Sequence, residues 1–331
     1  MSDNGQAAIQ ASPTPLLQTS GLTKSFHNLH ALSSVDFNLY PGEVHALLGE
    51  NGAGKSTLIK LITGVHKKDA GTIWLDGKEI EPKSPRHAQE YGISTVYQEI
   101  NLVPTLSVAE NIYLGRQPMR FGMVNMPATY RKAKALLQTF NIDIDVTRSL
   151  GSYSIAIQQL VAIARGVDMS ARVLILDEPT SSLDAHEVQT LFRVMRDLKA
   201  RGIGIIIITH FLDQVYEISD RITILRNGSK VGEYLTANLS RVNLIADMLG
   251  KELTQELGKN DYQSGTETGR EVFLKAEGVG RRGTVHPFDL ELHRGEIVGL
   301  AGLLGSGRTE VAQLIFGIAR HDAGHVTVKG A

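Results

Sequence analysis

The octapeptide Gly49-Glu50-Asn51-Gly52-Ala53-Gly54-Lys55-Ser56 constrains this chain most, because its pattern returns 253 positions later as Gly302-Leu303-Leu304-Gly305-Ser306-Gly307-Arg308-Thr309. Each copy follows a short apolar run that reads as a strand, Val44 to Leu48 in the first and Ile297 to Ala301 in the second. The first copy opens a run with helical spacing, Thr57 to Ile62. About a third of the positions from Gly42 to Lys78 match Gly295 to Ala331, down to the tails Asp69-Ala70-Gly71 and Asp322-Ala323-Gly324. A repeat of this length predicts two copies of one folding unit in tandem. Only the first keeps the lysine of the pattern G-x-x-x-x-G-K-[ST]; the second has Arg308 in its place.

The 331 residues suit about two domains. With 34 basic and 35 acidic side chains there is no global field to attract a polyanion, so no nucleic-acid partner is expected. The absence of cysteine excludes a disulfide framework, thiol catalysis and Cys-ligated zinc. Met1 to Pro15 is polar, with neither the basic nor the apolar region of a signal peptide. The longest apolar run, Ile203 to Ile208 with Gly204 inside it, falls far short of the ~20 residues that span a bilayer.

Residues 1 to 17 read as disordered. From 18 to 251 strand and helix patterns alternate, which predicts an α/β unit around a mostly parallel sheet. Val35, Phe37 and Leu39 alternate with polar residues like a half-exposed strand, while Val173 to Leu176 and Ile203 to Ile208 suit strands buried on both faces. Ser107-Val108-Ala109-Glu110 reads as a capping box, and Ile155 to Val167 has helical spacing. The block from about 103 to 165 therefore reads as an inserted helical subdomain. Residues 252–270, polar from Lys259 to Gly269, read as a linker. Residues 271–331 offer two or three strands and one helix, a marginal core for an incomplete second unit.

In the first copy, glycines let backbone N–H groups turn toward phosphate oxygens, and the helix start adds a favourable dipole. Lys55 is expected to reach the β and γ phosphates, and the Ser56 hydroxyl to ligate Mg²⁺. Asp177 and Glu178 close the run Val173 to Leu176. A carboxylate there suits Mg²⁺, and a second beside it suits the polarising of an attacking water.

Taken together, Gly49 to Thr57, Gln98, Leu174 to Asp184 and His210 resemble the ATP-binding subunits of ATP-binding-cassette transporters. The resemblance runs over nearly all of the chain from Leu17 onward. Tyr153 to Asp168, Thr209 to Gly228 and Gly295 to Glu310 look most like tandem-cassette monosaccharide importers, those for galactofuranose above all. The implied fold is an α/β P-loop NTPase of the ATP-binding-cassette type with a helical subdomain, plus the N-terminal part of a second cassette. The resemblance implies ATP and Mg²⁺ as cofactors, with Gly49, Glu50, Asn51, Gly52, Ala53, Gly54, Lys55, Ser56 and Thr57 around the phosphates. It puts Phe26 against adenine, Asp177 and Gln98 at the metal, Glu178 as the base or water-orienting group, and His210 at the γ-phosphate. Asp184 would lie between facing cassettes.

Two departures matter. The family's Leu-Ser-Gly-Gly-Gln reads Tyr153-Ser154-Ile155-Ala156-Ile157 here, keeping only Ser154 as a donor for the phosphate of a facing cassette. Arg308 is longer and forked, so it does not replace lysine conservatively at a tight loop. One hydrolytic site and one slow binding site are expected, the good site lacking its partner signature within these residues, hence weak ATPase if the chain acts alone. The implied partners are a second cassette in cis, membrane permease subunits and, indirectly, an extracytoplasmic sugar-binding protein. The implied location is peripheral, on the cytoplasmic side of the membrane. The competing readings are a weakly active cassette remnant and a soluble tandem-cassette ATPase without a transport role.

Overall fold

The structure, a computed structural model, describes residues 14–27, 29–97, 102–169, 171–250, 271–302 and 306–329. Contacts divide the chain into two compact units, Met1–Gly258 and Lys259–Ala331. Gln98 and the polar stretch Lys259 to Gly269 lie outside the described residues.

The first unit begins with strands β1 (Leu17–Phe26) and β2 (Leu29–Leu39), followed by β3 (Val44–Leu48). Leu16 and Leu17 are fully packed in the core, so order begins before the boundary expected at residue 17. Helix α1 (Lys55–Ile62) leads to β4 (Ala70–Leu75) and β5 (Lys78–Ile80), which join the first two strands in an antiparallel sheet of order β2-β1-β4-β5. Then come α2 (Pro85–Glu90) and β6 (Ile93–Val96).

The helical block holds α3 (Val108–Tyr113), a short exposed hairpin of β7 (Met119–Arg120) and β8 (Met123–Val124), α4 (Met126–Gln138) and α5 (Ile155–Asp168). The Ser107–Glu110 capping box forms in both directions at the start of α3. Two residues per strand are too short to show as periodicity, so the hairpin was not among the expectations.

Beyond it follow β9 (Val173–Asp177), α6 (Ala185–Ala200), β10 (Gly204–Ile208), α7 (Leu212–Ile218), β11 (Arg221–Arg226), β12 (Ser229–Leu235) and α8 (Arg241–Leu249). The main sheet runs β12-β11-β3-β10-β9-β6, parallel except for β12.

Alternation along the strands divides the core. On β10, Ile205 and Ile207 pack with the helical side, where Leu160, Phe192 and Leu198 lie, while Ile206 and Ile208 pack with Leu58, Ile62 and Phe37 on the other. Each of these isoleucines is buried, which contributes about 1.5–3 kcal/mol per side chain. A strand clothed on both faces is what a near-continuous apolar run encodes.

The second unit holds β13 (Val272–Arg281), β14 (Val285–His293), α9 (Arg308–Phe316) and β15 (Ala323–Val328), with the sheet ordered β14-β13-β15. Its buried apolar cluster is small: Ala276, Val279 and Leu314. One expectation fails here. Ile297 to Ala301, read as a strand by analogy with β3, forms none, and Ile297 is 97% exposed. In the first unit β3 is held between β10 and β11. Among the described residues of the second unit no strand plays either part, and an apolar run without a ladder to join is not a strand.

Candidate functional site

Three neighbouring parallel strands, β3, β10 and β9, end on the same edge of the main sheet, and their carboxyl ends supply the site. Beyond β3 the chain makes its glycine loop. Gly49 has φ +147°, and a Cβ there would lie 2.2 Å from the Leu225 carbonyl oxygen; at Gly54, φ +105°, it would lie 2.8 Å from that of Ala31. Both positions exclude a side chain on space and on backbone conformation. Helix α1 starts at Gly54 without a side-chain cap and without an acid in its first turn, so its leading N–H groups face the cleft unpaired by side chains.

The Lys55 ammonium is folded onto its own loop, donating to the carbonyl oxygens of Gly49 (2.7 Å) and Glu50 (2.9 Å). Half-burial lowers its pKa, while the nearby Glu178 and Asp177 charges oppose that fall. Asp177 closes β9, and its carboxyl pKa is raised, first by burial and then by the Glu178 charge, against the pull of Lys55 and Lys60. Two acids and one lysine thus share a desolvated edge, and an added cation would relieve it.

Glu178 adopts φ +47°, a left-handed conformation rare for a side-chain-bearing residue, with its N–H donating to the Ile208 carbonyl at 2.9 Å. Such a conformation costs on the order of 1–3 kcal/mol and persists only where the surroundings impose it. The turn also brings the Glu178 carboxylate to 3.2 Å from His210 Nδ1, just past the end of β10.

A cleft of 860 Å³ is lined by Phe26, His30, Ala31, Asn51, Gly52, Ala53, Gly54, Lys55, Ser56, Thr57, Asp177, Glu178, Ile208 and Asn227. A cavity of 180 Å³ beside it shares Asn51, Lys55, Glu178 and Ile208 and adds Gly49 and His210. Phe26, 37% exposed, meets the His66 ring edge-on at 5.1 Å between centroids and has Lys24 Nζ 5.3 Å over its face. Glu50 contributes its backbone carbonyl, which accepts from Lys55 and from Ala53 N–H.

Ser154 and Arg308 line neither cavity. Ser154 caps α5, its hydroxyl oxygen accepting from Ile157 N–H, and Ile155 beside it is 49% exposed. Asp184 caps α6 in a reciprocal capping box with Glu187. Sequence reasoning missed His30, Ala31, Ile208 and Asn227. The Asn227-Gly228 pair is a legible turn signal, but its place at the cleft depends on β11 pairing with β3.

The ABC transporter family profile matches residues 32–181, the stretch that carries the glycine loop, Asp177 and Glu178. The chain carries an ABC transporter ATP-binding cassette. Its first unit has the cassette fold of solved neighbours: the ADP conformation of MJ1267, an ATP-binding cassette of an ABC transporter, matches at TM-score 0.63 and 27% identity, over 71% of this chain and 97% of that one. A nucleotide-free ATP-binding cassette from an ABC transporter matches at TM-score 0.62 and 26% identity, over 73% of this chain and 98% of its own.

Curated relatives extend the likeness past the first cassette. The galactofuranose transporter ATP-binding protein YtfR of Escherichia coli K12 is 52% identical over 320 residues, 95% of this chain and 63% of YtfR. The ribose import ATP-binding protein RbsA 1 of Rubrobacter xylanophilus is 47% identical over 316 residues, 96% of this chain and 62% of its own length. The fructose import ATP-binding protein FruK of Bifidobacterium longum is 47% identical over 319 residues, with 96% and 62% covered. The chain thus spans a little under two thirds of the length of these relatives. Among the described residues no helix is long and apolar enough to cross a membrane.

Proposed function

We propose that this chain is the ATP-binding and ATP-hydrolysing subunit that energises import of a monosaccharide through a membrane permease. The observation that carries the reading is the meeting of Phe26, Lys55, Ser56, Asp177 and Glu178 in one cleft at the carboxyl ends of adjacent strands. The cleft suits ATP with Mg²⁺: its glycines leave room for phosphate, the start of α1 is uncapped, and the Asp177–Glu178 pair is short of positive charge.

Each residue then has a task. Phe26 offers its face to adenine. Lys55 exchanges its two loop carbonyls for β- and γ-phosphate oxygens, and the N–H groups from Gly52 to Thr57 donate to the remaining phosphate oxygens. Ser56, Asp177 and Gln98 would hold Mg²⁺, which when bound neutralises phosphate charge and fixes the geometry of in-line attack. Glu178 orients the attacking water and takes its proton; His210, within contact of Glu178, steadies that carboxylate and faces the γ-phosphate. Ser154 serves the phosphate of a facing cassette, where Ile155 and Ala156 crowd the approach that glycines would leave open. Arg308 marks a second site that binds ATP and turns it over slowly.

Closure of two cassettes on ATP would move permease helices docked near Gln98 and the helical block, and hydrolysis would reset them. For the cargo we propose galactofuranose or a related sugar, on the strength of the 52% identity with YtfR. The location is then peripheral, on the cytoplasmic face of the membrane, with a sugar-binding protein as indirect partner. The test is purification of the natively expressed, tagged protein in mild detergent, followed by ATP-dependent sugar uptake in vesicles of the captured complex. Co-isolated permease subunits and uptake competed by galactofuranose are expected. Isolation without any membrane partner would overturn the transport reading.

A further inference from the structure

A second cavity of the first unit, of 240 Å³, shares no lining residue with the nucleotide cleft. Its floor is apolar and buried: Leu61 from α1, Ile73 from β4 and Pro82 just past β5. Its rim is charged. Lys67 and Lys68 come from the loop between α1 and β4, Glu81 and Lys83 from the segment after β5, and His66 stands beside them. Backbone contacts hold the walls in place. A Cβ on Gly64 would lie 2.6 Å from the Pro82 carbonyl oxygen, so the two segments meet main chain to main chain. His66 N–H donates to the Lys60 carbonyl at 3.0 Å, and Lys68 Nζ to the Gly71 carbonyl at 2.7 Å.

Three ammonium groups face one carboxylate here, which leaves a surplus of two positive charges with His66 neutral. Asp69, the next acid along the loop, does not offset it. Its carboxylate is already taken by Lys24 Nζ and Ser25 N–H, at 2.7 Å each. The Lys67 and Lys83 ammonium groups have no acidic partner among the described residues. Like charges gathered at one rim repel, and a bound dianion relieves that repulsion. A phosphomonoester, with a charge of about −1.5 to −2 at neutral pH, matches the surplus. The volume lies below the roughly 300 Å³ at which pockets begin to take drug-sized ligands, so the body attached to the phosphate is small.

We propose that this cavity binds a small sugar phosphate. The phosphate sits on Lys67, Lys68 and Lys83, and the C–H face of the sugar covers Leu61, Ile73 and Pro82. Lys68 has three N–H donors, so it keeps its bond to Gly71 while it meets the phosphate. Glu81, an acceptor on the same rim, takes a sugar hydroxyl. The site does not depend on the transport reading. Its link to the cleft is His66, whose ring meets Phe26 edge-on at 5.1 Å.

The test is calorimetric titration with glucose 6-phosphate, glucose and inorganic phosphate, on the wild-type, Lys67→Ala/Lys83→Ala and Lys55→Ala proteins. Glucose 6-phosphate should bind at least about tenfold more tightly than glucose or phosphate, each of which supplies half of the contacts. The double variant should weaken it about tenfold or more, the worth of one hydrogen bond to a charged group. Both lysines are exposed, so the melting temperature of that variant should not move. Lys55→Ala should leave this binding within about twofold, because Lys55 lines the other cleft. No binding of glucose 6-phosphate, or binding that survives the double variant, would overturn the proposal. So would loss of binding in Lys55→Ala, which would put the phosphate in the glycine loop instead. Inorganic phosphate bound as tightly as glucose 6-phosphate would also overturn it, since the apolar floor would then play no part. Failure of the ATP reading shows separately, as Mg-ATP binding that Lys55→Ala leaves unchanged.

Discussion

Glu178 occupies a strained backbone position that nothing in its own side chain favours, so its place is imposed by Ile208 on the neighbouring strand. That is the arrangement expected of a residue selected for what its carboxylate does. Replacing it with glutamine should slow ATP turnover about 10²- to 10⁴-fold, as loss of a general base does, while ATP binding measured by fluorescence titration stays within a few-fold.

Asp177 gives a pH prediction. Its folded pKa is raised above the unfolded value, so the native state holds its proton more tightly. Stability therefore falls as pH climbs from the ordinary carboxylate value through the raised one, and the cost is fully present above it. Calorimetric melting of the ligand-free protein should show this decline, and Asp177→Asn should flatten it. An unchanged pH dependence in the variant would refute the assignment.

At the scale of elements, much was legible because the signals are local. The capping box at Ser107 forms as read, since four consecutive residues contain both halves of it. Asp184 at the start of α6 is a second box, and Asp184→Ala should cost about 1 kcal/mol in urea denaturation. Core truncation should cost more: Ile207→Ala, on the central strand β10, is expected to lose about 2–5 kcal/mol.

What was not legible depends on partners distant in sequence. Ile297 to Ala301 carries the same local pattern as Val44 to Leu48, yet only the latter has ladders on both sides. His30 and Asn227 line the cleft because β2 packs over the phosphate loop and β11 pairs with β3, relations that no window of neighbouring residues contains.

For the molecule as a whole, the two units differ sharply in how much they bury. The first holds two apolar clusters against the faces of its main sheet; the described part of the second buries three apolar side chains and exposes Ile297, Phe316 and Ile318. So small a core is marginal. Limited proteolysis of the 331-residue chain should therefore cut within 271–329 first and leave a resistant fragment ending before it. Equal resistance of both units would contradict this.

In the proposed mechanism the cleft built on β3, β9 and β10 binds ATP through Lys55 and turns it over through Glu178. The measurement that tests it most directly is paired ATP binding and phosphate release on the wild-type, Lys55→Ala and Glu178→Gln proteins. Lys55→Ala should lose binding and turnover together, while Glu178→Gln should keep binding and lose turnover. Turnover that survives Glu178→Gln, or binding that survives Lys55→Ala, would contradict it.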